Sequence, residues 1–545
     1  MRTRWRTMLS WGVGLLGLAA AVAPTAAGEL EAEVVPALGG AFRRGSTVVL
    51  RVTLTNNGPA VSGRLDLVVE GVVYRRPLAM GAEATATVDV AACVYSEASR
   101  ARLVATTDGG EELLGRSVDL GLLGGAERPL VVAAAEARAA AVDLFGPGLT
   151  AVEQGELPHL AAAYAPVDAL VLWADGSALS PAAGEAVGQW IRGGGLAVFL
   201  LPPEVPVRTT SLLADLGACA GRPSASAWLE AAREREGTWA VGEGVAWRLG
   251  LGHVVAGPAE GLAPRAVADL LPAGPEGYAW ADRGVYESLA GPRWSKGARH
   301  ALAWKALGLL AVATALGLVL PRRWGARRTL VCAAAGSGLL AAVAFAMVLP
   351  SGRAVVETAA VVECVGGGSE GRRTEVVGVS GWGRGHARLD LGQALAVVPF
   401  YHTAEDAGTW DDVVVACDET GRWSVELDIE RHERYAFAAW WAWGSARGAS
   451  GGFGKGDLVT RDWQAAVADG PGLPPPAAWV PVRSVQGWEK PQRELLAWQG
   501  RRAGRGGRLY RVELREDWQT EIEGRGVLEV RQRPALVWVD VTAGE

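Results

Sequence analysis

The chain has 545 residues, room for three or four units at the usual ~100 to 200 residues each, which excludes a single small fold. Half of its residues are apolar, 21% are charged, and 59 acidic side chains outnumber 53 basic ones. That balance excludes a disordered chain and a broad basic surface, so nucleic acid is not an expected partner.

Residues 1–27 read as a secretory signal. Arg2, Arg4 and Arg6 precede an apolar run from Met8 to Ala23, and the small residues Thr25, Ala26 and Ala27 close it. Cleavage before Gly28 fits this pattern, with an uncleaved anchor as the alternative; in both cases the chain that follows is expected to be exported.

Residues 28–127 read as all-β. Val48, Leu50, Val52 and Leu54 alternate with Val49, Arg51, Thr53 and Thr55, the chain turns at Asn56 to Pro59, and Leu65, Leu67 and Val69 resume the alternation. Period two on both sides of an Asn/Gly/Pro turn predicts a half-buried strand pair. The stretch from Val52 to Gly58 resembles the immunoglobulin-like modules that precede membrane anchors in bacterial surface proteins. The resemblance implies a β-sandwich acting as spacer or packing partner.

Over residues 128–275 the pattern becomes strand, helix, strand. Leu130 to Ala133 and Val167 to Trp173 are apolar runs, and Leu179 to Arg192 reads as a helix with Ser180 as N-cap and Pro181 in its first turn. Gly193, Gly194 and Gly195 stop that helix, and Leu196 to Leu201 is a continuous apolar strand suited to a parallel sheet. Val245 to Val255 predicts one more strand. Asp175 and Glu204 stand at the carboxyl ends of predicted strands, where open α/β sheets bind ligands; they are the candidate ligand-binding residues, with plain loop carboxylates as the alternative.

The pieces Val167 to Leu172, Leu179 to Pro181 and Trp190 to Phe199 resemble the class I glutamine amidotransferase-like fold, a flavodoxin-like group. Active members carry a Cys nucleophile in a Gly-x-Cys-x-Gly elbow and a downstream His-x-Glu. Neither is present here. Cys219 lies in Leu216 to Ala220, and His253 has no Glu two residues on, so the resemblance implies a fold without thiol chemistry and no catalytic residue is assigned.

A linker over 276–300 leads to two apolar stretches, 301–320 and 330–349, each of about 20 residues, the length that crosses a ~30 Å hydrocarbon layer. Between them, 321–328 holds Arg322, Arg323, Arg327 and Arg328, which puts that loop in the cytoplasm by the positive-inside rule. The expectation is a transmembrane hairpin: a multi-pass cell-membrane protein with the bilayer as a partner and both large regions extracytoplasmic. Buried core helices are the alternative.

Residues 353–545 read as β-rich. Trp423, Val425, Leu427 and Ile429 alternate with Ser424, Glu426, Asp428 and Glu430, and Tyr510, Val512 and Leu514 repeat the pattern. Trp440, Trp441 and Trp443 cluster after Tyr435 and Phe437, fitting core packing, sugar stacking or a bilayer interface. The five cysteines show no CxxC spacing, Cys364 and Cys417 are compatible with a disulfide, and His386, His402 and His432 lack metal-ligand spacing and read as surface residues. Neither cofactor nor metal is expected.

The fold class expected is therefore multidomain: an N-terminal Ig-like β-sandwich, an α/β flavodoxin-like domain, a two-helix transmembrane hairpin and a C-terminal β-rich domain. The favoured function is that of a non-catalytic, membrane-anchored envelope protein binding a protein or small ligand. Two alternatives stand beside it. One is an accessory subunit of a transport machine, since an α/β domain ahead of membrane segments is similar to auxiliary parts of gliding-type ABC transporters. The other is an envelope hydrolase using Asp175 or Glu204.

Overall fold

A computed structural model describes residues 30–271, apart from 44, 96–99, 121–128, 175–178, 203–223 and 236, and then twelve strands with a few flanking residues between 354 and 540. The first seven strands are β1 (Leu30–Pro36), β2 (Ser46–Asn56), β3 (Val61–Val69), β4 (Val72–Met80), β5 (Thr85–Val94), β6 (Arg100–Thr107) and β7 (Glu112–Asp119). The expected turn joins β2 to β3: the Asn56 side chain donates to Pro59 O at 2.7 Å and accepts from Gly58 N at 3.1 Å, fixing the corner. Strands β1, β2 and β5 form one antiparallel sheet, while β4, β3, β6 and β7 run side by side in a second.

The middle of the chain supplies β8 (Val131–Ala134), α1 (Arg138–Phe145), β9 (Thr150–Val152), β10 (Ala169–Trp173), α2 (Pro181–Arg192), β11 (Leu196–Leu200), α3 (Ala225–Arg233), β12 (Thr238–Val241), β13 (Gly244–Leu249), β14 (Gly252–Gly257) and α4 (Pro264–Ala268). The sheet order is β12-β13-β14-β11-β10-β8-β9. Its five inner-to-edge strands from β14 to β9 are parallel, and β13 and β12 continue it antiparallel. The single strand expected from Val245 to Val255 is thus a hairpin, because Gly250 (φ +63°) turns the chain back. Ser180 caps α2, accepting from Ala183 N at 3.1 Å, and Pro181 opens it. The glycines after α2 have a steric reason: a Cβ on Gly195 would lie 2.2 Å from the Trp190 ring, and one on Gly252 2.1 Å from Ile191 O. Helix, turn and strand β14 therefore close on each other only with hydrogen at both positions.

The remaining strands are β15 (Ala354–Val365), β16 (Gly371–Gly381), β17 (Gly385–Gly392), β18 (Ala396–Pro399), β19 (Val413–Cys417), β20 (Trp423–Ile429), β21 (Arg434–Trp443), β22 (Val480–Pro481), β23 (Gly507–Val512), β24 (Thr520–Glu523), β25 (Leu528–Gln532) and β26 (Ala535–Asp540). Most of them build a sheet around β15 and β16. Four do not. Strands β24, β17, β20 and β19 extend the sheet begun by β4, with β19 parallel to β4 at Val73↔Val414, Tyr74↔Val415 and Arg75↔Ala416.

This sharing corrects the expected fold class. The described residues do not fall into a string of a separate Ig-like sandwich, flavodoxin-like domain and β-rich domain. Its two ends complete one eight-stranded sheet, and the middle sheet is a layer within a β-dominated whole. Leu50, Tyr164, Phe199 and Phe437, from all three parts, are fully buried in one core. The physical reason is that β4 has an edge to fill and α2 an apolar face to cover. Strand β19 takes the first, and α2, with Ala183, Val187 and Ile191 inward, packs against β21.

The membrane expectation is corrected as well. Among the described residues no helix is long and apolar enough to cross a membrane. The longest, α2, has 12 residues, about 18 Å at 1.5 Å each against a ~30 Å hydrocarbon layer. The transmembrane-helix and multi-pass cell-membrane assignments are therefore not carried forward. The stretches that prompted them, 301–320, 321–328 and 330–349, lie outside the described residues, as do the signal 1–27 and the linker 276–300.

Candidate functional site

The carboxyl edge of the parallel strands is the place to look for a site. Asp175, Glu204 and Cys219 all lie outside the described residues, so the edge is built here from its neighbours. From β8 the chain goes to β9 on one side and later to β10 on the other, and such a reversal normally opens a ligand crevice above the strand ends. Here Gln154, just past β9, reaches across to β10. Its amide donates from Nε2 to Trp173 O at 2.9 Å and accepts at Oε1 from Trp173 N at 2.8 Å, at the last residue of β10. The side chain is 3% exposed and imitates one more rung of backbone pairing where β8 has ended.

The segment that follows Gln154 is pinned from below. Tyr164 donates its hydroxyl to Pro158 O at 2.8 Å, stacks at a tilt on Trp190 at 5.9 Å, and burial pushes its phenol well up. This holds His159 at the surface, where its Nε2 lies 3.1 Å from Ser180 Oγ. Ser180 Oγ also accepts from Ala183 N, so the hydroxyl both caps α2 and reaches the imidazole. Asp89 accepts from the backbone N–H of His159 at 3.5 Å and from Arg51 Nε at 3.2 Å. The pair thereby fastens the start of α2 to the segment after β9.

A shallow cleft lies on the seam between β4 and β19, lined by Tyr74, Arg76, Leu160, Val415, Cys417 and Trp423. Its walls close too tightly to admit a water-sized sphere. Arg76 bridges it, donating to Cys417 O and Asp418 O, both at 3.0 Å. Arg75 beside it donates to both oxygens of Asp66, and that hydrogen bond raises its pKa. Burial pushes the Cys417 thiol up to about 11 and the Cys93 thiol well above its usual range, so both free thiols are held protonated. Cys417 is thus a free thiol and not half of a disulfide.

Of the other sequence candidates, Trp440 is core, 7% exposed beside Phe437, while the side chains of Trp441, Trp443 and Cys364 lie outside those described. His402 and His432 are outside too. His253 lies in β14 facing Trp239 edge-on at 5.9 Å, and burial followed by the charge of Arg248 lowers its pKa to about 4. Among the described residues no three His, Cys, Asp or Glu side chains gather as a metal centre. Gln154 and His159 escaped the sequence reading because a lone Gln or His after a strand carries no motif.

Residues 29–121 match the model of a family described as Domain of unknown function (DUF8726). The matched stretch is the first β unit, β1 to β7, the unit whose β4 edge receives β19. No curated protein matches the chain.

Proposed function

We propose that this chain is a non-catalytic binding protein whose partner, a protein or small ligand, meets the carboxyl edge of the parallel strands. The observation that carries the reading is Gln154. At the strand ends where open α/β sheets bind ligands, its side chain satisfies both the N–H and the C=O of Trp173, which stiffens the edge without supplying a reactive group. Asp175 and Glu204, carried on two loops at that edge in sequence, are the proposed contact residues. The buried, protonated state of Cys93 and Cys417 and the absence of an elbow around Cys219 in the sequence support a role without thiol chemistry.

The test is site-specific photo-crosslinking in the native host, with the probe at Ser180 on the carboxyl edge and, as control, at Arg248 on the opposite edge. The expected result is a discrete adduct from Ser180 alone, lost in Asp175→Asn or Glu204→Gln proteins of unchanged thermal transition. Turnover of ester, amide or glycoside substrates by the wild type, abolished by Asp175→Asn, would overturn the reading.

A further inference from the structure

Among the described residues the large apolar side chains left exposed are Val35, at 48%, and Trp239, at 39%. Each lies on an edge strand, Val35 on β1 and Trp239 on β12. An open edge is a template for another strand, and folded chains normally cover it or charge it. Other edges of these sheets are so treated. Arg116 on β7 donates to Ala32 O of β1, β9 abuts the turn at Gly39, where a Cβ would lie 3.0 Å from Thr150 Cγ2, and β7 itself exposes Glu112, Arg116 and Asp119. Strand β12, Thr-Trp-Ala-Val, has no such charge, and Trp239 and Ala240 are both exposed. Successive residues point to opposite faces, so the helices on either side of the sheet do not overhang this edge.

The hairpin fixes which backbone groups are free. Val241 and Gly244 close the two-residue turn from β12 to β13, with Gly242 at φ +63°. In an antiparallel ladder the closing pair and every second pair from it exchange hydrogen bonds. Val241 and Trp239 therefore bond to β13, while the N–H and C=O groups of Thr238 and Ala240 point outward.

We infer that β12 is an interface between two copies of this chain, which pair antiparallel through this edge about a two-fold axis at Trp239. In that register Thr238 of each copy exchanges hydrogen bonds with Ala240 of the other. Trp239 then meets Trp239 in the closer, non-hydrogen-bonded position on one face, where aromatic pairs stabilise a sheet. The flanks select a second copy. Arg235 and Glu243 stand at equal distances in sequence before and after Trp239, so antiparallel pairing brings the arginine of each copy to the glutamate of the other. Among the described residues neither side chain has an ion-pair partner within its own chain. With two outward-facing residues and one Trp from each copy, the interface is at the small end, below ~1,200 Å², so the dimer is weak and depends on concentration. Ser180, between β10 and β11, takes no part, and the pairing stands independently of the partner proposed for the carboxyl edge.

Sedimentation velocity of the full-length protein from ~1 to 100 μM tests the interface. The weight-average mass is expected to climb from that of one chain toward that of two. Ala240→Pro removes an N–H that points to solvent within one copy and donates only across the axis, so the fold keeps its ladder while association weakens by about 10-fold or more. Glu243→Arg, an exposed change that sets like charges together, should weaken it too, and adding Arg235→Glu should restore it, a rescue that a merely structural role would not give. An unchanged thermal transition at low concentration checks that each variant folds. A chain that stays monomeric throughout, a dimer indifferent to Ala240→Pro or to Glu243→Arg, or a double variant without rescue would overturn the pairing.

Discussion

Arg43 and Asp168, 125 residues apart, form a two-pronged ion pair at the junction between the first β unit and the middle sheet, with side chains only 10% and 8% exposed. The guanidinium Nη1 donates to Oδ1 at 3.1 Å and Nη2 donates to Oδ2, which also accepts from Leu130 N at 2.8 Å. Removing one partner strands the other charge in the interior. Arg43→Ala or Asp168→Ala is expected to lower stability by about 3–5 kcal/mol, whereas the paired Arg43→Met/Asp168→Leu change, which removes both charges, should cost markedly less. Urea midpoints of the three variants measure this.

Gln154→Ala leaves Trp173 N–H and C=O without their amide partner at the end of β10. Each buried group left unmade costs about 1–3 kcal/mol, so a loss at the upper end of that range is expected in chemical denaturation. Gln154→Glu keeps the acceptor for Trp173 N–H but sets a buried carboxylate oxygen against Trp173 O, and at neutral pH should destabilise at least as much as Ala.

The seam between β4 and β19 predicts coupling between chain ends. Val415 sits opposite Tyr74 and is 1% exposed, so Val415→Asp buries a charge in the joint. Hydrogen exchange should quicken at Val73 to Arg76 in β4, where Arg76 and its partner Cys417 are 341 residues apart in the sequence, and leave the β12 and β13 hairpin unchanged. Unchanged protection in β4 would contradict the shared sheet.

His253 sets an acid-side dependence. Its folded pKa, lowered to about 4 by burial and Arg248, lies below the ordinary 6.5, so its neutral form contributes stability that is fully present above pH 6.5. That contribution is lost as pH falls from 6.5 through about 4, where the unfolded chain takes up the proton first. His253→Phe should remove this slope, seen as a smaller fall in urea midpoint between pH 7 and 4 relative to wild type.

Local signals carried the local structure. The alternation around Asn56 to Pro59 gave β2 and β3, Ser180 and Pro181 gave the start of α2, and the glycines from Gly193 gave its end, because each depends on neighbours within a few residues. Tertiary structure alone decided the rest. That β19 lies on β4, that Gln154 closes on Trp173, and that Arg43 pairs with Asp168 are decided by contacts between segments that no local pattern links. Periodicity fixes which face of a strand is apolar, but it is silent on which edge that strand will find, since a ladder is made of backbone groups that every sequence possesses.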